Sequence, residues 1–537
     1  MLDSRKFLIV VTAGGKTNAS PIFEIAQILN TRGHKIEFAT LDGQQDWARE
    51  YPFVSQVYIL GPGQTLETEE QAYLQMSRWK LGLRHSFEPV METRKYLESS
   101  WETVYPALSQ LVQDPVSRPN FILADYLVDA ARDMHIEHDI PIAMHWPQMP
   151  TNMVPASYIP GAAGLQMEVL TSEHATVWQR LQNYLLAFRA LPPYLRYRSW
   201  VRDLRARHGV RRPLVTRSKP DYLLLVNSFF GLEPARDLPP NLAAIGPVLA
   251  DTYPGLTPEL ESLLEYRKRI LYISLGSHAL LPDAILQRIL HGALMALQDG
   301  KAIDGVVWSI RGMALKQFNL DASVPGPHPV AAAGPLRIKD LVSGVDSIPI
   351  LFAPFVPQRA LLAHPKVSVF LTHAGASSTN EAAYHGVRTI TIGVYFDQLT
   401  NAMKLRDAGV SIPLDRDTFT PADLGRAIDA LVADVSGTFL GNCERVQRIA
   451  QIASRRKWLA ADLIEEALVD FEGRRKLGIA DAQRGMHLQT ADMRMPFWKV
   501  HNLDLWGIAA GCALAGLRLL VCVPVALGIA LTESKIF

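Results

Sequence analysis

The chain has 537 residues, 48% of them apolar and 20% charged, with 54 Lys and Arg against 53 Asp and Glu for a formal net charge of +1. That length exceeds a single ordinary core and calls for two domains with appendages, while the balanced charge gives no electrostatic ground for a nucleic-acid partner. Three scattered cysteines, Cys443, Cys512 and Cys522, exclude a disulfide framework or a cysteine zinc site and fit a reducing environment.

Residues 1–7 carry three charges and lead into the apolar run 8–12. This run is too short for a secretory signal and opens into glycines, so it reads as a first buried strand. Apolar residues at helical spacing over 21–29 and a second strand at 36–40 complete a βαβ unit. Further strands are expected at 121–124, 141–144 and 222–226, separated by long helical stretches such as 69–111. Strands alternating with helices imply an α/β fold with a doubly wound parallel sheet. A Pro-rich stretch, 236–265, reads as a linker that ends a first domain at 235. The alternation restarts at 270–275, followed by a helix at 282–297 and strands at 306–310, 348–352, 367–372 and 389–392, giving a second domain over 266–440. Two such domains face a ligand cleft across the carboxyl ends of their strands.

Residues 441–504 read as a helical region and linker. Its runs Arg455-Arg456-Lys457 and Arg474-Arg475-Lys476 are expected on solvated helix faces, with lipid headgroup contact as the alternative. The segment 505–531 holds one formal charge, Arg518, and about 20 apolar residues are enough to cross a bilayer as a helix. A transmembrane helix is expected there; a buried helix is the alternative, since Arg518 and Pro524 are costly or unusual within a span. Arg494 and Lys499 just before it favour a single-pass anchor, in the endoplasmic reticulum, with the folded domains facing the cytosol.

The densest chemistry lies between Phe355 and Asn401. Phe370-Leu371-Thr372-His373 ends a strand, Ala374-Gly375-Ala376 makes a small-residue turn, and a helix begins near Ser377-Ser378. That geometry turns free backbone N–H groups and the positive helix end toward an anion. His373 can add a donor to a phosphate, and Glu381, one turn on, can accept from two ribose hydroxyls. Asp397-Gln398 closes the next strand's loop, where a carboxylate and an amide suit sugar hydroxyls. No Asp-x-Asp motif stands at the end of any strand expected above, so no metal and no cofactor are expected.

This ordered set resembles the signature of the UDP-glycosyltransferases, family 1 of the glycosyltransferases, whose GT-B fold faces two Rossmann-like domains across a cleft. The resemblance implies that His373 contacts the donor diphosphate, Glu381 the ribose, and Asp397 and Gln398 the transferred sugar. It further implies donor contacts from Phe355, Gln358, Gly375, Ser377 and Ser378. Ile273-Ser274-Leu275-Gly276-Ser277 is similar to the family's phosphate loop, and Val226-Asn227-Ser228 with Ile245-Gly246-Pro247 to its domain junction. Phe355 replaces a uracil-stacking tryptophan, and Ser377 the usual asparagine.

Inverting members carry a catalytic histidine after the first strand. Here that position is Asn18, and an amide cannot act as a base, although the family's supporting aspartate has a counterpart in Asp125. Three accounts stay open: an acceptor that ionises by itself or is an amine, another base such as Asp125 or His145, or loss of catalysis. Apolar inserts containing Leu74, Met76, Trp79, Leu81 and Leu83, and then Met149, Met153, Tyr158, Met167, Leu170 and Trp178, suggest a greasy acceptor cleft. The expected function is inverting transfer of a hexose, glucose first, from UDP-sugar to a terpenoid, sterol, polyketide or phenolic, in secondary metabolism. The alternatives are a non-catalytic sugar-nucleotide-binding or scaffolding protein and a UDP-sugar epimerase.

Overall fold

The computed structural model describes residues 3–150, 153–161, 165–212, 219–298, 302–325, 335–345, 348–477 and 485–533. Of the expected terminal tail, residues 534–537 lie outside this set.

Seven strands build the first sheet: β1 (Lys6–Val10), β2 (Lys35–Thr40), β3 (Val54–Ile59), β4 (Phe121–Asp125), β5 (Ile142–Trp146), β6 (Leu223–Val226) and β7 (Leu242–Ala244). Their order is β3-β2-β1-β4-β5-β6-β7, with every pair parallel. A parallel sheet is covered on both faces, so its central strands must be apolar throughout rather than alternating. In β1, Leu8 and Val10 pack with Val104, Leu108 and Ala131 on one face, whereas Phe7 and Ile9 pack with Ile22, Phe23 and Ile25 on the other. Each such side chain taken fully out of water contributes roughly 1.5–3 kcal/mol.

The second sheet contains β8 (Ile270–Ser274), β9 (Gly305–Ser309), β12 (Ile350–Ala353), β13 (Val367–Thr372), β14 (Thr389–Thr391) and β15 (Ser411–Pro413), in the order β12-β9-β8-β13-β14-β15. A short antiparallel ribbon, β10 (Ser323–Val324) with β11 (Leu336–Arg337), sits beside it. The edge strands β3, β7 and β15 were not among the expected elements. They are short or polar, and β3 is only partly buried.

The stretch 69–111 is three helices, Leu66–Ser77, Glu88–Glu98 and Trp101–Gln113. The Pro-rich stretch 236–265 carries β7 and most of the helix Pro258–Tyr266, whose Leu260 and Leu264 join Tyr272 and Phe370 in the core of the second domain. The helix Lys457–Leu477 returns to the first domain, where Ala460, Ala461, Ile464 and Leu468 pack among Ile22, Ile25 and Leu29. Arg455 and Arg456 are exposed as expected, but Lys457 is not. Its ammonium is buried and donates to Asp251 at 2.7 Å, the Leu249 carbonyl at 3.2 Å and Glu24 at 3.4 Å. Such a burial is tolerable because each donor meets an oxygen. The helix Leu503–Glu533 stands apart from both domains, and its stretch Leu503–Val525 has a mean hydropathy of 2.1 and is not buried against the rest of the protein.

Candidate active site

Two loops at the carboxyl ends of β8 and β13 meet around one imidazole. After β8 the chain turns at Gly276, whose φ of +75° suits glycine, and a Cβ there would stand 2.6 Å from His373 Cε1 and Nε2. Gly375 crowds the same ring, so both positions need the absence of a side chain. Ala374 adopts a left-handed φ of +62°, held by a bond from its N–H to Thr372 Oγ1 at 3.3 Å and one from Asn401 Nδ2 to its carbonyl at 3.1 Å. Asn401 thereby shapes the turn. The helix Ala376–His385 starts directly after, with Gly375 as an N-cap that supplies no side chain, so its first N–H groups remain available to an anion. Burial, with His278 nearby, lowers His373 to about 4, which keeps the ring neutral at physiological pH.

Glu381 belongs to a small network on that helix. Gln358 Nε2 donates to Glu381 Oε2 at 2.7 Å and to Ser378 Oγ at 3.3 Å, and Gln358 Oε1 accepts from the Tyr272 hydroxyl at 3.0 Å. Burial raises the Glu381 carboxyl above its usual range, with the Gln358 bond opposing. Phe355, three residues before Gln358, has 60% of its surface exposed, leaving an aromatic face open. Ser277 and Ser377 are half-buried. Asp397 begins the helix Asp397–Asp407 and is pushed up to about 6 by burial, against the pull of Lys404. Gln398 has a structural task as well, since its Oε1 accepts the Val394 N–H at 3.1 Å and ties the loop.

Across the cleft, Asn18 lies in the first turn of the helix Lys16–Thr31 and donates through Nδ2 to Asp125 Oδ2 at 3.2 Å. The other oxygen, Asp125 Oδ1, accepts the Leu127 N–H at 3.0 Å. Asp125 is completely buried, and this burial outweighs its hydrogen bonds and raises the carboxyl to about 7. His145 pairs in register with Asp125 on β5, is equally buried, and has neither ring nitrogen hydrogen-bonded. Both side chains considered as replacement bases are therefore sealed from the cleft.

Asp125 binds a proton more tightly folded than unfolded, so between about pH 4 and 7 the folded state holds more of it, and stability falls as pH rises through that window. The Asp125→Asn variant is expected to lose this contribution. Urea midpoints between pH 5 and 8 should decline less for the variant than for the wild type; matching slopes would show that Asp125 ionises normally.

Sequence reasoning missed the groups that hold the two domains around the site. Buried Arg416 donates to the carbonyls of Ser77 and Trp79 at 2.8 Å each and to that of Val394 at 2.9 Å, fastening the end of the helix Leu66–Ser77 to the Asp397 loop. Lys404 meets Glu233 at 2.7 Å with both nearly inaccessible, and Glu233 also accepts from Ser228 Oγ at 2.7 Å. Asn380 Nδ2 donates to the Asn227 carbonyl at 2.9 Å. These polar residues lie far apart in the chain, and nothing local announces the pairing.

The apolar inserts divide. Met76 and Trp79 pack into the second domain's core, Trp79 also touching Phe396 at 5.8 Å between ring centroids. Met149 and Met153 belong to the first domain's core, Leu170 is buried, and Tyr158 and Trp178 are exposed. Aromatic rings at the carboxyl ends of the strands are instead Tyr126 and Trp146, tilted against each other at 4.7 Å between centroids just after β4 and at the end of β5, and Tyr73, which lies against His278. The carboxyl-end rule for parallel sheets would have found the first two.

A family model described as UDP-glucoronosyl and UDP-glucosyl transferase matches residues 68–450. UDP-glycosyltransferase stmC of Aspergillus ustus is 40% identical over 544 residues, covering 99% of this chain and 98% of the relative. UDP-glycosyltransferase FPY2 of Fusarium mangiferae is 37% identical over 529 residues, covering 94% and 95%. Among solved structures, the glycosyltransferase of kitacinnamycin aligns with a TM-score of 0.57 at 18% identity, over 86% of this chain and 99% of that one. UDP-glucose: anthocyanidin 3-O-glucosyltransferase, solved with UDP, aligns with a TM-score of 0.55 at 15% identity, over 87% and 100%. The structural likeness establishes the GT-B fold, and with the family match and the fungal relatives the conclusion is that this chain is an enzyme belonging to the UDP-glycosyltransferase family.

Proposed function

We propose that the enzyme transfers a hexose, with glucose as the first candidate, from UDP-sugar to a small lipophilic acceptor with inversion, giving a β-glycoside. The observation that carries this reading is the His373 turn. A neutral imidazole crowded by two glycines, an uncapped helix N-terminus, the Glu381–Gln358 pair on that helix and Asp397 at the start of the next helix make an arrangement suited to diphosphate, ribose and hexose. Attack by the acceptor oxygen on the anomeric carbon, opposite the leaving group, breaks the bond to UDP. The backbone N–H groups and His373 stabilise charge developing on the diphosphate, and such preorganised donors cost no reorganisation during reaction. In this reading no metal takes part. Tyr73, Tyr126 and Trp146 favour a flat or greasy acceptor, of the terpenoid, sterol, polyketide or phenolic kind.

The exposed apolar stretch Leu503–Val525 is long enough to serve as a single-pass anchor, and the reading places that anchor in the endoplasmic reticulum with the domains in the cytosol, on the strength of Arg494 and Lys499 before it. One experiment addresses both parts. Membrane and soluble fractions of cells expressing the full chain are assayed for UDP release with alcohols, phenols, acids and amines, and the product's anomeric coupling is read by NMR. Activity in the membrane fraction with a β-linked product is expected. Activity confined to the soluble fraction refutes the anchor, an α-linked product refutes inversion, and UDP binding without turnover of any acceptor refutes the lipophilic-acceptor reading.

A further inference from the structure

A second imidazole stands where acceptor and donor sides meet. His278 follows the phosphate loop of the second domain, yet its ring faces the first domain. A Cβ on Gly15, just ahead of the helix that carries Asn18, would lie 3.3 Å from His278 Cε1 and 3.7 Å from Nε2. Glu69 Oε1 is 3.7 Å from Nε2, and the Tyr73 ring lies against the imidazole at 4.6 Å between centroids. On its other edge Nδ1 is 3.5 Å from Ser277 Oγ, and the Tyr395 hydroxyl donates to the His278 carbonyl at 3.1 Å, fixing the backbone that carries the ring. Contacts from both domains thus converge on one side chain. Unlike Asp125 and His145, both His278 and Glu69 keep about a quarter of their side-chain surface open, 26% each.

We propose that His278 is the general base of this enzyme, taking over the task that Asn18 cannot perform, with Glu69 as its positioning residue. The acceptor oxygen forms the new bond to the anomeric carbon while its proton passes to Nδ1 of His278. The bond to the diphosphate breaks, and its electron pair leaves with UDP. The imidazolium so formed places its Nε2–H toward the Glu69 carboxylate, which balances the new charge at ion-pair distance. Burial and the neighbouring Arg311 hold the ring neutral before reaction, lowering it to about 4, so the lone pair is present at physiological pH. Burial likewise raises Glu69 above the usual carboxylate range. General-base help of this kind is worth about 100- to 10,000-fold and matters least for an acceptor that ionises unaided.

The inference rests on the transferase reading above, and the test separates the two. The full-length wild type, His278→Gln and Glu69→Gln are compared on an aliphatic alcohol and on a nitrophenol that ionises near neutrality, with UDP affinity measured alongside. His278→Gln is expected to lower kcat on the alcohol by about 100-fold or more, to change the phenol rate by less than about 5-fold, and to leave UDP affinity within about 2-fold. Glu69→Gln should follow the same pattern more weakly. Equal losses on both acceptors, or a parallel loss of UDP affinity, would assign His278 to donor binding or folding and overturn the proposal. Should the wild type glycosylate neither compound, the lipophilic-acceptor reading fails. The slow hydrolysis of UDP-glucose then decides the base, because water is a harder acceptor to deprotonate: slower hydrolysis in His278→Gln upholds it, and an unchanged rate refutes it.

Discussion

The His373→Ala variant is expected to lose about 100- to 1,000-fold in kcat/KM for the UDP-sugar, the magnitude seen when one preorganised donor to a developing negative charge is removed. The ring is placed by residues that tolerate no substitute, since Gly276 and Gly375 each stand too close for a Cβ. Alanine removes the donor and leaves a gap beside the position proposed for the diphosphate, while the helix N–H groups of Ala376–His385 remain. UDP should therefore still bind, more weakly, and the larger part of the loss should appear in kcat. Steady-state kinetics with circular dichroism as a folding control checks this. A loss below about 5-fold would mean that the helix end alone carries the leaving-group charge.

The second large effect concerns stability. Lys404→Met leaves the Glu233 carboxylate buried without its cation, and breaking a buried pair in this way costs about 3–5 kcal/mol. Lys404 also donates to Asn401 Oδ1 at 3.2 Å, and Asn401 holds the Ala374 turn, so the variant should weaken UDP binding as well. Adding Glu233→Gln to Lys404→Met removes the stranded charge and should recover much of the loss. Denaturant unfolding of the wild type, both single variants and the double variant completes the cycle. Strict additivity of the two single effects would show that the pair is not coupled.

Much of this architecture is legible along the chain. The central strands β1, β4, β8 and β13 are continuous apolar runs because both faces of a parallel sheet are covered. The His373 turn is equally plain, since a strand end, glycines and a helix start adjoin in sequence, and the local chemistry of His373, Glu381 and Asp397 needs no distant partner to be noticed. Edge strands were harder, because β3 mixes Ser55 and Gln56 into a half-buried surface and β15 has only three residues. The greasy inserts misled in part: apolar content marks burial but not against what, and Met76 and Trp79 turned out to seal the domains together.

The sequence by itself determined the two α/β sheets, the family, the strand–turn–helix around His373 and the terminal apolar helix, because each is written in short-range periodicity or in an ordered run of residues. Only the tertiary structure decided which polar groups meet. Lys404 with Glu233, Arg416 with the Ser77 carbonyl, Lys457 with Glu24, and His278 with Glu69 are separated by 171, 339, 433 and 209 positions. Burial makes such groups costly unless a partner is supplied, and that partner comes from the fold rather than from neighbouring sequence. The same reason underlies the proposal for His278: its ring reaches Gly15, just ahead of the helix that carries Asn18, only because the domains pack together.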